Sequence, residues 1–486
     1  MRVLIVASNR EKTPIPVAPI GACHIASVLA DAGHEVEFID LMWERKPQQA
    51  LERCIKRTKP QLVGLSVRNL DNTSWLNQRW YLDEVRDLVE IARQESSAPV
   101  LAGGPAVGVL PGPVTAYIGA DWGIWGDGER SARDFVAALD RGEDPAQIPG
   151  VVRPDPTGGT DHQVNPQYRV EEMGDIPVHR MWEWLDFRPY LRHSAPLQVQ
   201  SRRGCAFECT YCNYPIIEGG SYRRKPPRQV AEEIALMHRA VPGAAIEFVD
   251  NTFNVPLRYC LELLDAVIEL DLDLVLHTGG FNPKATSVEL MDKMNRAGFA
   301  QVMITPEVAH EGMLENLRKG FTMKQLRRSV EHRSWLISEG SRMEWLWVFL
   351  LGGPGETRES MLETFRFIRE EIPERDPVFV QVGLRVYPGT PLQQQVQDEG
   401  VISATDELLE PFHYVSPALE PLWIYDTLME QIRARPNITT LRDVMSPAFP
   451  YYLRAASLLG LKAPITSAQP MVRLLSKLGR RAVGPM

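Results

Sequence analysis

Cys205, Cys209 and Cys212 fall in one stretch, Ser201-Arg202-Arg203-Gly204-Cys205-Ala206-Phe207-Glu208-Cys209-Thr210-Tyr211-Cys212, as a C-x3-C-x2-C array. Thiolates spaced this closely on one loop can converge on a single iron–sulfur cluster, because soft sulfur ligands suit iron. Zinc is the rival. A structural zinc site needs four ligands, however, and the nearest histidines, His193 and His238, lack ligand spacing. Three cysteines without a fourth leave one iron of a 4Fe–4S cluster open, and an open position means chemistry rather than scaffolding. The remaining cysteines, Cys23, Cys54 and Cys260, stand alone in helical-looking segments and read as buried small hydrophobes. Six cysteines in 486 residues are too sparse for a disulfide framework.

The array follows an apolar segment, Leu197–Ser201, that reads as the first strand of a strand–helix series. Further strands are predicted near Ala245–Val249, Asp273–His277, Gln301–Thr305, Glu344–Leu351 and Val378–Val386. Helices are predicted between them at Pro227–Arg239, Arg258–Glu269, Ser287–Ala297, Met323–Glu339 and Arg358–Glu371. Six such units over 196–395 fit a partial barrel, whose site would gather at the C-terminal mouth of the strands. Residues 1–140 alternate in the same way. Strands are predicted at Val3–Ala7, Glu35–Ile39, Leu62–Val67, Val100–Ala102 and Trp122–Trp125, and helices at Ala18–Ala32, Gln48–Arg57 and Trp80–Gln94. That order implies a doubly wound parallel sheet with its ligand beyond the strand C-termini. Residues 141–195, rich in Pro, Gly and Asp, read as a linker with at most a short hairpin. Residues 396–486 lose the regularity and read as a mainly helical extension, with a basic tail from Arg473 to Arg481 that reads as a solvated helix end.

Composition narrows the class. The chain has 53 Lys and Arg against 62 Asp and Glu, a net charge of −9, which leaves no basic excess for nucleic acid. No apolar run approaches the roughly 18–20 residues that span a bilayer. The apolar start, Val3-Leu4-Ile5-Val6, is too short for a signal peptide. A cytoplasmic protein with neither nucleic-acid nor membrane partners is expected.

The cysteine array and the six strand–helix units resemble the radical S-adenosylmethionine (SAM) superfamily. The resemblance implies that Cys205, Cys209 and Cys212 hold a 4Fe–4S cluster. It implies that SAM binds the open iron and that an electron from the cluster cleaves SAM to methionine and a 5′-deoxyadenosyl radical. Tyr211 matches the aromatic position that contacts the adenine. Thr305-Pro306-Glu307, at the end of the fourth strand, matches a ribose or methionine contact, although Glu307 fits an acid–base role or a plain solvated carboxylate equally well. Leu350-Leu351-Gly352-Gly353-Pro354-Gly355-Glu356 resembles the segment that lets backbone approach the adenosine, through Gly352 and Gly353. Arg385-Val386-Tyr387-Pro388-Gly389-Thr390-Pro391 resembles the end of the sixth strand in the cobalamin-binding branch of the superfamily.

That branch carries an N-terminal Rossmann-like cobalamin domain, and residues 1–140 resemble it in Pro19-Ile20-Gly21, Ala32-Gly33-His34-Glu35-Val36, Gly103-Gly104-Pro105 and Gly126-Asp127-Gly128-Glu129. The D-x-H-x-x-G pattern of histidine-ligated cobalamin enzymes is missing, and neither His24 nor His34 supplies it. The segment Ser66-Val67-Arg68-Asn69-Leu70-Asp71-Asn72 leaves the third strand where the lower face of a corrin would rest. The guanidinium of Arg68 has no lone pair and cannot ligate cobalt. The alternative is an ion pair of Arg68 with Asp71 or Asp40, and both readings stay open here.

The resemblance implies a radical SAM enzyme acting on a small natural-product (antibiotic) intermediate. One reading is cobalamin-dependent C-methylation of an unactivated carbon, with one SAM spent on the radical and a second on remethylating cobalt. The alternative is a radical dehydratase that deoxygenates an aminoglycoside-type sugar and keeps the first domain as scaffold. There Tyr214 or Glu307 would be the proton donor. An iron–sulfur sensor or structural protein ranks third, since it leaves the SAM-like strand ends unexplained. The cofactors implied are the 4Fe–4S cluster, SAM and, where the first domain still accepts it, cobalamin. The partners implied are a small-molecule substrate and an electron donor such as flavodoxin or ferredoxin.

Overall fold

The computed structural model describes residues 1–440 apart from 76–77, 177, 179 and 436. The tail Arg473–Arg481 lies outside the described residues. Apolar runs set the first sheet. β1 (Arg2–Ala7), β2 (Glu35–Asp40), β3 (Leu62–Ser66), β4 (Val100–Gly103) and β5 (Trp122–Ile124) run parallel in the order β2-β1-β3-β4-β5. β1, β3 and β4 are buried on both faces because helices cover both sides, so their sequences are continuous rather than alternating. The stretch expected as a linker adds β6 (Val151–Arg153) and β7 (Gln163–Val164), which pair antiparallel onto the edge of this sheet.

The cysteine loop follows β8 (Leu197–Val199) and the short β9 (Arg202–Arg203), which pairs with β10 (Arg223–Arg224). The other barrel strands are β11 (Ile246–Phe248), β12 (Leu276–Phe281), β13 (Phe299–Glu307), β14 (Glu344–Leu351) and β15 (Val378–Val382). β16 (Leu384–Arg385) pairs with β17 (His413–Tyr414), and β18 (Ile438–Thr440) comes last. The second sheet runs β18-β15-β14-β13-β12-β11-β8 with every neighbour parallel. The six expected strands are therefore joined by a seventh, β18, contributed by a region read as helical from sequence. Three residues of Ile-Thr-Thr carry too little periodicity to separate strand from loop. β12 starts at Leu276, later than expected, because Asp271–Asp273 remains an exposed turn.

Outward-facing Ile246, Phe248, Leu276, Val302, Ile304, Trp345 and Trp347 are at most 1% exposed and pack in the core beneath the helices. Local signals fix where the helices start. Thr322 caps Met323–Ser338 in a reciprocal capping box with Gln325, and Thr357 does the same for Arg358–Glu370 with Ser360. Each such cap stabilises by about 1 kcal/mol.

Polar links join the two halves. Arg203 Nη1 donates to Asp127 Oδ1 at 3.0 Å, and its Nη2 donates to Glu129 Oε1 at 2.5 Å. Arg223 also donates to Asp127. On the far side Arg385 donates to Asp71 Oδ2 at 3.0 Å, and Gln381 Nε2 donates to the Thr73 carbonyl at 2.6 Å.

Candidate functional site

Asp250 organises the entry to the cysteine loop. Its carboxylate accepts from the Ser201 and Arg202 backbone N–H groups at 2.8 and 3.2 Å and from Ser201 Oγ at 2.5 Å. The chain then turns at Gly204, whose φ of +85° lies in the left-handed region. A Cβ there would come within 2.1 Å of the Ser221 carbonyl oxygen, so no other residue fits. Cys205 Sγ lies 3.7 Å from Thr252 Oγ1. The Cys212 N–H donates to the Cys209 carbonyl at 3.1 Å, and the Thr210 N–H ties the loop to Leu317. Burial raises the Cys209 thiol above its ordinary range despite the nearby cation of Lys319, and burial pushes Cys212 up to about 12. Cys205 acts electrostatically on both, and Cys209 acts on Cys212. Among the described residues no three His, Cys, Asp or Glu side chains close around a single metal ion. Three soft thiols on one loop, without a fourth ligand, suit separate corners of a cuboidal cluster rather than one shared ion. Cys23, Cys54 and Cys260 are buried packing residues, as expected.

Tyr211 and Glu307 do come together, through a residue the sequence did not mark. Lys319, 4% exposed, donates to Tyr211 Oη at 3.0 Å and to Glu307 Oε1 at 3.4 Å. Burial alone would depress its pKa, but Cys209, Glu307 and Cys212 more than reverse this and hold it above the ordinary lysine value. Glu307 adopts a φ of +68° where β13 slips register against β14. A non-glycine residue in that region is strained by roughly 1–3 kcal/mol, a cost met at functional sites. Tyr211 and Glu307 line a cavity of about 200 Å³ with Val348, Leu350, Gln381 and Tyr387.

A second cavity, about 380 Å³, lies between the strand ends of the first sheet and the barrel. Arg68, Gly103 and Gly104 line it from the first sheet, and Gln198, Gln200, Arg203 and Glu218 line it from the barrel side. The expected alternative of an Arg68 ion pair with Asp71 or Asp40 is overturned. Asp71 is taken by Arg385 and Asp40 by Tyr190 Oη at 2.7 Å, while among the described residues Arg68 donates to the neutral Asn69 Oδ1 at 3.1 Å. Arg68 is open to the void yet surrounded by protein, which lowers its pKa from the ordinary value, with Tyr214 and Glu247 acting in the opposite sense. At Gly104, with φ of +98°, a Cβ would strike the Val67 carbonyl oxygen at 2.6 Å, so the strand-end backbone stays bare towards the void. A cradle of small residues beside the Arg68 cation suits the face of a flat, anionic-rimmed or carbonyl-bearing ring. His24 lines the same cavity from the helix Ile20–Asp31.

Gly352 and Gly353 line neither cavity. The backbone N–H groups of both donate to Glu356 Oε2, and the Gly352 carbonyl accepts from Ser416. The loop is thus satisfied from within. Burial pushes Glu356 up to about 7 against these two bonds. Glu356→Ala is expected to lower stability by about 1–3 kcal/mol, the cost of stranding buried donors, read as a drop in denaturation midpoint. Tyr214, 48% exposed, stands apart from Glu307 and lines neither cavity, while its backbone N–H supports the Cys212 sulfur.

Comparison with known proteins agrees with this geometry. Residues 10–136 match the B12 binding domain family and residues 199–368 the Radical SAM superfamily. Tryptophan 2-C-methyltransferase of Streptomyces laurentii is 24% identical over 79% of this chain and 73% of its own length. An uncharacterized methyltransferase of Pyrococcus horikoshii is 24% identical over 77% of each chain. In structure, the radical S-adenosylmethionine methyltransferase TsrM from Kitasatospora setae, solved with tryptophan and a SAM analogue, superposes with a TM-score of 0.81. It covers 98% of this chain and 99% of that one at 21% identity. The cobalamin-dependent SAM radical enzyme OxsB, with aqua-cobalamin, gives 0.70 over 98% of this chain and 72% of that one at 16% identity. These two likenesses establish the fold. With a B12-binding domain followed by a radical SAM domain along one chain, the protein belongs to the radical SAM superfamily, in the branch with an N-terminal cobalamin-binding domain.

Proposed function

We propose that this chain is a cobalamin-dependent radical SAM methyltransferase acting on a carbon of a small molecule. The observation that carries the reading is that one loop serves two cavities. Tyr211 lines the smaller one, and Arg203, Ile217 and Glu218 line the larger. When bound, the cluster supplies the electron that cleaves SAM, and cobalamin carries the methyl group. Cys205, Cys209 and Cys212 would hold the cluster. Tyr211 would pack the adenine, with Glu307 and Lys319 orienting the ribose or methionine end. Arg68 and Gly103-Gly104 would face the corrin. We take residues 1–140 as the corrin-holding unit, 196–395 as the barrel, 141–195 as the connection and 396–486 as an extension. Flavodoxin or ferredoxin is the electron donor we expect. All six cysteines are free, which suits a reducing cytoplasm. Among the described residues no helix is long and apolar enough to cross a membrane.

Anaerobic reconstitution with iron, sulfide and hydroxocobalamin tests this. Corrin bands together with a broad iron–sulfur band are expected, and an iron–sulfur band alone would favour the dehydratase. In the reduced cobalt(II) form, paramagnetic resonance should show no axial nitrogen splitting, since Arg68 has no lone pair to give. Nitrogen splitting that disappears in His24→Ala would overturn the reading in which Arg68 would face the corrin.

A further inference from the structure

The parallel registers of the barrel bring five polar residues to one level. Gln198 lies opposite Glu247, Glu247 opposite His277, His277 opposite Gln301, and Gln301 opposite Glu344. Residues in register on neighbouring strands point to the same side of a sheet. Their sequence neighbours Ile246, Leu276, Val302 and Trp345 belong to the outer core, so these five face the barrel interior. Above them the inward positions Val249, Met303, Leu346 and Val348 are only part-buried, and Val249 lines the larger cavity and Val348 the smaller.

A polar row across five strands is costly inside a barrel unless its groups are bonded. Gln198 and Gln301 are 5% and 7% exposed, yet among the described residues Oε1 of each has no hydrogen-bond partner. Glu247 lies between them in the row, and burial pushes its carboxyl up to about 7, with Arg68 the charge that opposes this. Gly279 stands beside that carboxylate and beside Met303. A Cβ there would sit 3.8 Å from Glu247 Oε1 and 3.2 Å from Met303 Cε. Gln198 also lines the larger cavity, so the row connects with the space where Arg68 stands.

We propose that this row is the floor of the substrate chamber and binds a protonated amine of the small molecule to be methylated. An alkylammonium brings three N–H donors and one positive charge. Those match the Glu247 carboxylate and the amide oxygens of Gln198 and Gln301. A carboxylate or phosphate would meet those acceptors and the Glu247 charge, with the Arg68 cation acting from the side of the larger cavity, and a wholly apolar group would leave the oxygens unbonded. The inference rests on the methyltransferase reading for the identity of the chamber, but its test reads binding alone.

Full-length protein loaded with cluster and cobalamin is titrated anaerobically with benzylamine and, separately, with benzyl alcohol. Wild type should bind the amine at least about tenfold more tightly, a difference of about 1.4 kcal/mol. Glu247→Gln should erase that preference. Gln301→Met should also weaken amine binding while leaving the denaturation midpoint unchanged or higher, because an apolar side chain replaces an unbonded buried amide. A purely structural glutamine would not give that combination, and this variant carries the test if Glu247→Gln does not fold. Equal binding of amine and alcohol, no binding of either, or full preference in Glu247→Gln overturns the proposal. Such a failure with normal corrin and iron–sulfur bands concerns this subsite only, whereas missing bands overturn the methyltransferase reading itself.

Discussion

Alanine at Cys205, Cys209 and Cys212 together is expected to abolish iron and sulfide incorporation and 5′-deoxyadenosine formation, each to below detection, while the protein stays folded. The reason is local. The loop is held by its backbone, with Gly204 turning it, Asp250 gripping its entry and Leu317 receiving the Thr210 N–H, and none of these supports is a thiol. Removing the sulfurs therefore removes ligands without removing the loop's anchors. Retention of iron, sulfide and SAM cleavage in the triple variant would defeat the assignment. Cys23, Cys54 and Cys260 are the internal comparison. They are buried packing residues, and alanine at each should leave the cluster intact. Loss of cluster iron in Cys260→Ala would reveal a missing ligand.

Glu129→Ala should cost about 3–5 kcal/mol, the usual effect of removing one member of a buried ion pair, because Asp127 then has both Arg203 and Arg223 to neutralise. Glu129 and Asp127 grip the Arg203 guanidinium, and all three are buried at the junction between the first sheet and the cysteine loop. Burial alone would raise the Glu129 carboxyl, but Arg203 outweighs it and holds the group below its ordinary value of 4.5. A carboxylate depressed in the folded state stabilises fully above the unfolded value and loses that contribution as pH falls through the folded one. Wild type should thus lose stability as pH drops below about 4.5, and Glu129→Ala should show a weaker dependence there. Chemical denaturation across that range checks both statements. A change under 1 kcal/mol, within the range of a surface pair, would show that Arg203 finds compensation elsewhere.

The cysteine array was legible because its meaning is local. Covalent spacing alone puts three thiols on one turn, and no packing detail changes that. The continuous apolar runs of β1, β3 and β4 were legible for a similar reason, since burial on both faces leaves a mark in every residue. The strand–helix order followed, with boundaries off by a few residues where caps and exposed turns decide them. The two cavities were not legible, nor was what most residues do beside them. Arg68 and Asp71 are three apart and invite pairing. Yet Asp71 binds Arg385, 314 positions away, and Arg68 is left facing a void. Gly352 and Gly353 look like bare backbone, but Glu356 occupies their N–H groups. Lys319 carries no motif, although it joins Tyr211 to Glu307. The polar row from Gln198 to Glu344 exists only because five strands align in one register. The cysteine spacing and the order of elements could be read directly, because spacing and periodicity are properties of the chain. Which charges meet, and which are left to face a ligand, only the tertiary structure decided, because register and burial arise from packing between segments far apart in sequence.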